Sequence, residues 1–153
     1  MASPTRHRVV VIGSGFGGLN AAKALKRADV DITLVAKTTS HLFQPLLYQL
    51  ATGILSAGDI APTTRLILKR NKNCKVLLGE VEDIDLQEQT VTSRLMAMRT
   101  VLKYDSLVVA AGAQQNYFGN DRFATFAPGM KTIDDALELR SRVMGARAAA
   151  EVR

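Results

Sequence analysis

The sequence predicts an α/β fold, a parallel sheet flanked by helix with a small antiparallel β-meander added to it. Three observations carry this reading. Two short β-branched runs, residues 8–12 and 31–36, flank a glycine-rich turn and a helical repeat, the order of a βαβ unit whose strands run parallel. A third apolar run, residues 107–111, ends in a glycine as the first does. Between them, residues 75–104 read as strands joined by links too short for anything but antiparallel pairing.

Element by element, residues 8–12 (Arg-Val-Val-Val-Ile) read as a strand buried on both faces, as parallel strands are. The helix that follows has Leu19, Ala22 and Leu25 at helical spacing with Lys23, Lys26 and Arg27 outside them, and stops near Ala28 and Asp29. Residues 31–36 form the second strand, reached by a right-handed crossover. Residues 37–41 are a loop, and 44–54 a short helix begun by Pro45 and interrupted near Gly53. Pro62 starts a further helix through Leu66, Ile67 and Leu68, ending in basic residues 69–72, where the helix dipole favours cations. Residues 75–85 read as one strand, Gln87 to Gln89 as a turn into 90–93, and the meander continues to Val101 and Tyr104. Residues 107–111 are a buried strand running into a tight turn at Gly112. A loop with Gly119, Pro128 and Gly129 leads to a last helix, Ile133 to about Val152, with Asp134 and Asp135 in its first turn.

The 153 residues suffice for one ordinary domain, 1–153, burying roughly two thirds of its unfolded surface. Apolar residues at 47% and charged residues at 22% place it among soluble globular chains. The 20 Lys and Arg against 14 Asp and Glu leave +6. These cations are scattered over the polar faces and last turns of helices (around Lys23, Lys69 and Arg142), and no Trp is available for base stacking. Nucleic acid is therefore not an expected partner. Cys74 is the single cysteine, so no internal disulfide or multi-cysteine zinc site can form, and a reducing, cytoplasmic setting fits. The polar start, residues 1–8, has no apolar signal region, and no run reaches the roughly 18 residues of a membrane span. His7 and His41 read as exposed loop residues, not at a metal-ligand spacing, so no metal site is expected.

The decisive residues are Gly13, Ser14, Gly15, Phe16, Gly17 and Gly18, a G-x-G-x-x-G turn leaving a strand and opening a helix. The first glycine allows the tight turn, the second lets a pyrophosphate reach the backbone, and the third lets helix and strand pack closely. Free amides of the first helical turn then face the ligand with about half a unit of positive charge, so no lysine is needed. A triphosphate loop is excluded because no Gly-Lys-Ser/Thr follows. The arrangement is Rossmann-like. One element departs from it. An acidic residue about 20 positions on normally receives the adenosine ribose, yet the second strand ends Val35-Ala36-Lys37. Either backbone and the Thr38 or Thr39 hydroxyls hold the ribose, the preferred reading, or Lys37 favours an extra phosphate as in NADP.

Residues 41–53, His-Leu-Phe-Gln-Pro-Leu-Leu-Tyr-Gln-Leu-Ala-Thr-Gly, resemble a signature of the type II NADH dehydrogenases among two-dinucleotide-binding flavoproteins. The resemblance extends over nearly the whole chain: Gly13 to Gly18 match the FAD pyrophosphate loop, Tyr104 to Gly112 the later strand that returns to the flavin, and Ala127 to Met130 the loop before the next helix. Val35-Ala36-Lys37 is similar to actinobacterial members. The resemblance implies a Rossmann-like FAD-binding domain in a protein where FAD takes a hydride from NADH and passes two electrons to a membrane quinone. It implies that Gly13, Gly15 and Gly18 take the pyrophosphate, that Ser14, Phe16 and Gly17 complete that loop, and that Ala36 and Lys37 border the ribose. Val81 would meet the adenine through its backbone, Gln44 and Pro45 would lie beside the isoalloxazine ring, and Ala111 and Gly112 would close over the phosphates. The aromatic and leucine side chains Phe43, Leu46, Leu47 and Tyr48 read instead as core packing of a short helix.

No catalytic side chain is expected, since the cofactor carries the chemistry. Two other readings stand beside this one: a disulfide reductase, disfavoured because Cys74 has no partner cysteine, and a non-catalytic dinucleotide-binding module. The family's second glycine fingerprint for NADH, its later flavin-gripping loop and its carboxy-terminal membrane anchor do not occur within residues 1–153, so this stretch is expected to be an incomplete FAD domain. The complete protein would sit peripherally on the cytoplasmic face of the inner membrane; a homodimer is one assembly open to it, and the sequence does not fix the number of chains. The purified 153-residue chain is accordingly expected to bind FAD weakly and to show no NADH oxidation in a quinone-reduction assay; robust turnover would refute this.

Overall fold

The computed structural model describes residues 6–151. In chain order the elements are β1 (His7–Ile12), α1 (Phe16–Ala24) with a 3₁₀ turn at Leu25–Arg27, β2 (Val30–Ala36), and a 3₁₀ turn at Gln44–Leu46 running into α2 (Leu47–Ala51). Then follow α3 (Ala57–Ile60), α4 (Thr64–Ile67), β3 (Cys74–Leu78), β4 (Glu80–Asp85), β5 (Thr90–Leu95), β6 (Met98–Lys103), β7 (Ser106–Val109), a 3₁₀ turn at Asp121–Thr125 and α5 (Ile133–Glu151). They form two compact units. One holds the chain up to His41 and Thr63–Gly112; the other holds Leu42–Pro62 and the chain from Ala113 on.

In the first unit a four-stranded sheet runs β3-β2-β1-β7 with every pair parallel, and a three-stranded meander runs β4-β5-β6 with both pairs antiparallel. The α/β fold with its appended meander is therefore as the sequence predicts. Successive residues of β1 point to opposite faces of the sheet, and each face has its own core. Val9 and Val11 pack with Leu19 and Ala22 of α1, Ile32 and Leu34 of β2, and Leu68. Val10 and Ile12 pack with Val35, with Val91 of β5 and with Tyr104. A strand with no solvent face has to be apolar throughout, and each such side chain contributes about 1.5–3 kcal/mol of burial.

Three readings of the sequence need correction here. Residues 75–85 are not one strand but two, β3 and β4, which belong to different sheets. Gly79 is the switch: its amide donates to the Ala36 carbonyl at 2.9 Å, while a Cβ on it would run into Ser93 Oγ and stand 3.1 Å from the Arg94 carbonyl oxygen. Residues 107–111 are not a fully buried strand. β7 stops at Val109, which is 63% exposed, because among the described strands β7 lies at the sheet edge with β1 as its neighbour. Pro62 does not start the basic helix either; Thr63 pairs in an extended bridge with Ser40, and α4 is a single turn beginning at Thr64.

The corner between β6 and β7 is fastened to β1. Arg8 donates to Asp105 through its backbone amide at 2.7 Å and through Nε and Nη2 at 3.0 and 2.7 Å, and the Asp105 amide donates back to the Arg8 carbonyl at 2.9 Å. Two-point guanidinium binding is the stronger kind of ion pair.

In the second unit Leu47, Leu50 and Ala51 of α2, Ile60 of α3 and Ala136 of α5 are buried together. The core-packing expectation holds for Leu47 and, in part, for Leu46. It fails for Phe43 and Tyr48, which are 42% and 54% exposed. The chain leaves α2 through Gly53 at φ +80°, a left-handed conformation that glycine adopts without cost. The sequence reading did not anticipate α3, whose start is a reciprocal cap between Ser56 and Asp59. Asp135 plays the same part for α5, accepting from the Lys131 and Thr132 amides at 2.9 Å each. From Arg140 to Glu151 every residue is exposed; the predicted end at Val152, like residues 1–5 and Arg153, lies outside the described residues.

The Arg8 bonds hold the Asp105 carboxyl far below the usual carboxylate range. A carboxylate depressed in the folded state contributes stability above its unfolded pKa of about 4, and that stability is lost as pH falls toward the folded value. Asp105→Asn is expected to lower the melting temperature by a few degrees at neutral pH and to flatten the loss of stability below about pH 4, as thermal melts across a pH series would read.

Candidate functional site

The glycine turn is set by contacts that a side chain would break. Gly13 takes φ +102°, and a Cβ there would collide with the Ala110 carbonyl; its amide donates to the Val35 carbonyl of β2 at 2.8 Å. A Cβ on Gly18 would collide with the Gly13 carbonyl oxygen and reach Val11 Cγ1 at 3.3 Å, so α1 rests directly on the turn that precedes it. Gly15 differs. Its φ of −69° suits any residue, and no protein atom lies within 4 Å of where its Cβ would stand. Within the protein itself a Cβ is thus excluded at Gly13 and Gly18, while at Gly15 the space is open.

Gly15 is the cap residue of α1, and the first intrahelical bond runs from the Leu19 amide to its carbonyl at 3.0 Å. The amides of Gly17 and Gly18 then have no helical acceptor. No side chain caps them and no acidic residue occupies the first turn. Their partial positive charge is left for an anion, which is the condition a pyrophosphate needs.

Most of the other sequence-predicted residues assemble around this turn in the same unit. β7 leads to Ala110, whose amide donates to the Ile12 carbonyl at 2.8 Å, and Ala111 Cα stands 3.4 Å from the position a Gly13 Cβ would take. Gly112 follows at φ +76° with open space about it. Ala36 ends β2 beside Gly13's partner Val35, and Lys37 forms an ion pair with Glu80 at 2.5 Å. Val81 follows Glu80 in β4, opposite Ser93, at a break in the pairing register. Gln44 and Pro45 belong to the second unit, in the 3₁₀ turn before α2, where Gln44 Nε2 donates to the Lys131 carbonyl at 3.0 Å.

His41 corrects the sequence reading most sharply. It is no exposed loop residue but 6% exposed, with Nδ1 2.7 Å from the Ser14 carbonyl and its ring meeting Phe16 edge-on at 5.1 Å. Because a carbonyl only accepts, Nδ1 carries the proton. His41 therefore steadies the middle of the glycine turn from across the fold, and nothing in the local sequence signals it. His7 Nε2 lies 2.8 Å from Ser106 Oγ on the exposed end of β1. Burial pushes the Cys74 thiol up, which disfavours the reactive thiolate. Among the described residues no cluster of His, Cys, Asp or Glu could hold a metal, and no helix is long and apolar enough to cross a membrane.

A parallel sheet centred on β1, a glycine turn packed under α1 and an uncapped helix start define the Rossmann-like class of nucleotide-binding α/β protein. The chain belongs to the pyridine nucleotide-disulphide oxidoreductase family, which it matches over residues 7–150. It is similar to two type II NADH:quinone oxidoreductases of Mycobacterium tuberculosis: NdhA, 82% identical over 96% of this chain, and Ndh, 67% identical over 97%. It spans 31% and 32% of their lengths, about a third. Among solved structures, NDH2 from Plasmodium falciparum superposes with a TM-score of 0.80 at 29% identity, over 89% of this chain and 28% of that one. The resemblance read from residues 41–53 and the glycine turn is thus matched along nearly all of the chain.

Replacing His41 by Ala would leave the Ser14 carbonyl without its donor and open a gap beside Phe16. An unsatisfied buried group costs about 1–3 kcal/mol, so urea unfolding should show a loss of that size, and an unchanged midpoint would mean the bond is idle.

Proposed function

We propose that this chain is the FAD-binding portion of an NADH:quinone oxidoreductase. The observation that carries the proposal is the uncapped start of α1 with open space at Gly15, a cradle for the pyrophosphate of a dinucleotide. The choice of FAD rests on the family and on the high identity to NADH:quinone oxidoreductases. On this reading the turn of Gly13, Ser14, Gly15, Phe16, Gly17 and Gly18 holds the pyrophosphate, with Gly13, whose own amide is bonded to Val35, shaping the turn and the amides beyond it meeting the ligand, and Ala111 and Gly112 close over it. Ala36 and Lys37 border the ribose, Val81 meets the adenine through its backbone, and Gln44 and Pro45 flank the isoalloxazine.

A bound flavin would supply the redox chemistry, accepting a hydride from NADH and delivering two electrons to a quinone. The residues of this chain have the simpler tasks of binding and orienting, and none of them needs to be a proton donor or nucleophile. The quinone, a peripheral position on the cytoplasmic face of the membrane, and homodimeric assembly come with the family reading and are proposed on that ground alone. So is the assignment of this chain as the incomplete first dinucleotide-binding domain, with the NADH domain supplied by further sequence.

Gly15 and Gly18 separate fold from function. Gly15→Val is expected to keep a wild-type melting curve yet weaken FAD binding more than about tenfold, since its side chain would occupy only ligand space. Gly18→Ala is expected to lose both, because its methyl group meets backbone. Flavin fluorescence titration beside thermal melts reads the two apart, and undiminished FAD binding by Gly15→Val would overturn the proposal.

A further inference from the structure

The second strand ends without the acidic residue that normally receives the adenosine ribose: its last residues are Val35 and Ala36, followed by Lys37. The structure brings a carboxylate to that place from another part of the chain. Ala36 is in register with Leu78 of β3, and the Gly79 amide donates to the Ala36 carbonyl at 2.9 Å. The next residue, Glu80, therefore emerges at the carboxyl ends of the parallel strands, the side on which open α/β sheets bind their ligands. Its Oε1 lies 2.5 Å from Lys37 Nζ, and both side chains remain more than half exposed, at 56% and 65%. They face solvent at the sheet's rim and take no part in either core.

The path is fixed. A Cβ on Gly79 would meet Ser93 Oγ and stand 3.1 Å from the Arg94 carbonyl oxygen, so the backbone that carries Glu80 is set by its packing against β5. Lys37 also keeps the Glu80 carboxyl below the usual carboxylate range, hence ionised and able to accept hydrogen bonds. Glu82 is engaged elsewhere, with Arg94 and Arg99. The threonines favoured from sequence are less well placed. Thr38 and Thr39 line a cavity of about 190 Å³ with Thr63, Arg65, Val76 and Leu78, a lining that excludes Lys37 and Glu80, and the Thr38 hydroxyl already donates to the Ser40 carbonyl at 3.0 Å.

We infer that Glu80, held in place by Lys37, receives the ribose hydroxyls of the bound adenine nucleotide and turns away nucleotides that carry a 2′-phosphate. Lys37, already paired, is then a positioning residue for Glu80 and no phosphate receptor. The inference rests on the dinucleotide reading of the glycine turn and deepens it by assigning the ribose and its selectivity.

ADP-ribose and 2′-phospho-ADP-ribose carry the same pyrophosphate and differ only at that ribose, so they are the probes. Calorimetric titration of the full chain should show ADP-ribose bound at least about fivefold more tightly, the worth of an exposed charge-assisted contact. Glu80→Gln should erase that preference while keeping the wild-type melting curve, Glu80→Asp should retain part of it, and Lys37→Met should keep ADP-ribose the better ligand. An unchanged ratio in Glu80→Gln overturns the role of Glu80 and leaves the pyrophosphate reading standing. A wild-type preference for the 2′-phosphate that Lys37→Met abolishes also overturns it, making Lys37 the receptor. A wild-type chain that binds neither probe sinks both readings together.

Discussion

The direct seating of α1 on the turn that precedes it is the constraint on which the rest depends. Gly18 lies against the Gly13 carbonyl, and Gly13 against Ala110 at the exit of β7. Because no side chain separates these backbones, the helix axis is held close to the sheet and its start is aimed at the carboxyl ends of the strands. Leu19 and Ala22 can then reach Val9, Val11 and Ile32, and the hydrophobic energy of that core fixes the helix in place. The uncapped amides follow from the same seating. An arrangement that buries apolar area on one side of α1 presents partial positive charge at its end, so stability and ligand binding draw on one geometry.

Around that nucleus, contacts distant in sequence supply what the local chain lacks. His41 reaches the Ser14 carbonyl across 27 positions, and Glu80 reaches Lys37 across 43. In both cases a short polar contact fixes a residue that the strand or turn alone would leave loose. The first is part-buried under the buried His41 ring, where losing a partner costs more than in water, so it acts on the conformation of the turn. The second is exposed and screened by water, so it adds little to stability, and its consequence is for the charge a ligand would meet. Asp105 with Arg8 has a third role, closing the meander onto the first strand. None of these groups has the placement of a nucleophile or a metal ligand.

Much of the fold was legible because its signals are local. The β-branched runs of β1 and β2, the G-x-G-x-x-G turn between them and the short links of the meander each state a backbone geometry that few alternatives share. Where the reading went astray, the deciding partner was remote. Residues 75–85 carry one continuous strand pattern, and only the packing of Ser93 and Arg94 against Gly79 divides them between two sheets. The run at 107–111 is apolar enough for a sheet interior, yet its place at an edge leaves Val109 in solvent. Phe43 and Tyr48 look like core residues by type, while Leu47 and Leu50 already fill the face that α2 turns to α5.

The sequence by itself thus determined the βαβ unit and the glycine turn that opens α1, since glycine spacing and β-branched runs act over a few residues of backbone, while residues 41–53 carried the resemblance to the family. The burial of His41, the division at Gly79 and the meeting of Glu80 with Lys37 were decided only in three dimensions. Each depends on which atoms the folded sheets bring within a few ångströms, a quantity that spacing along a chain does not encode.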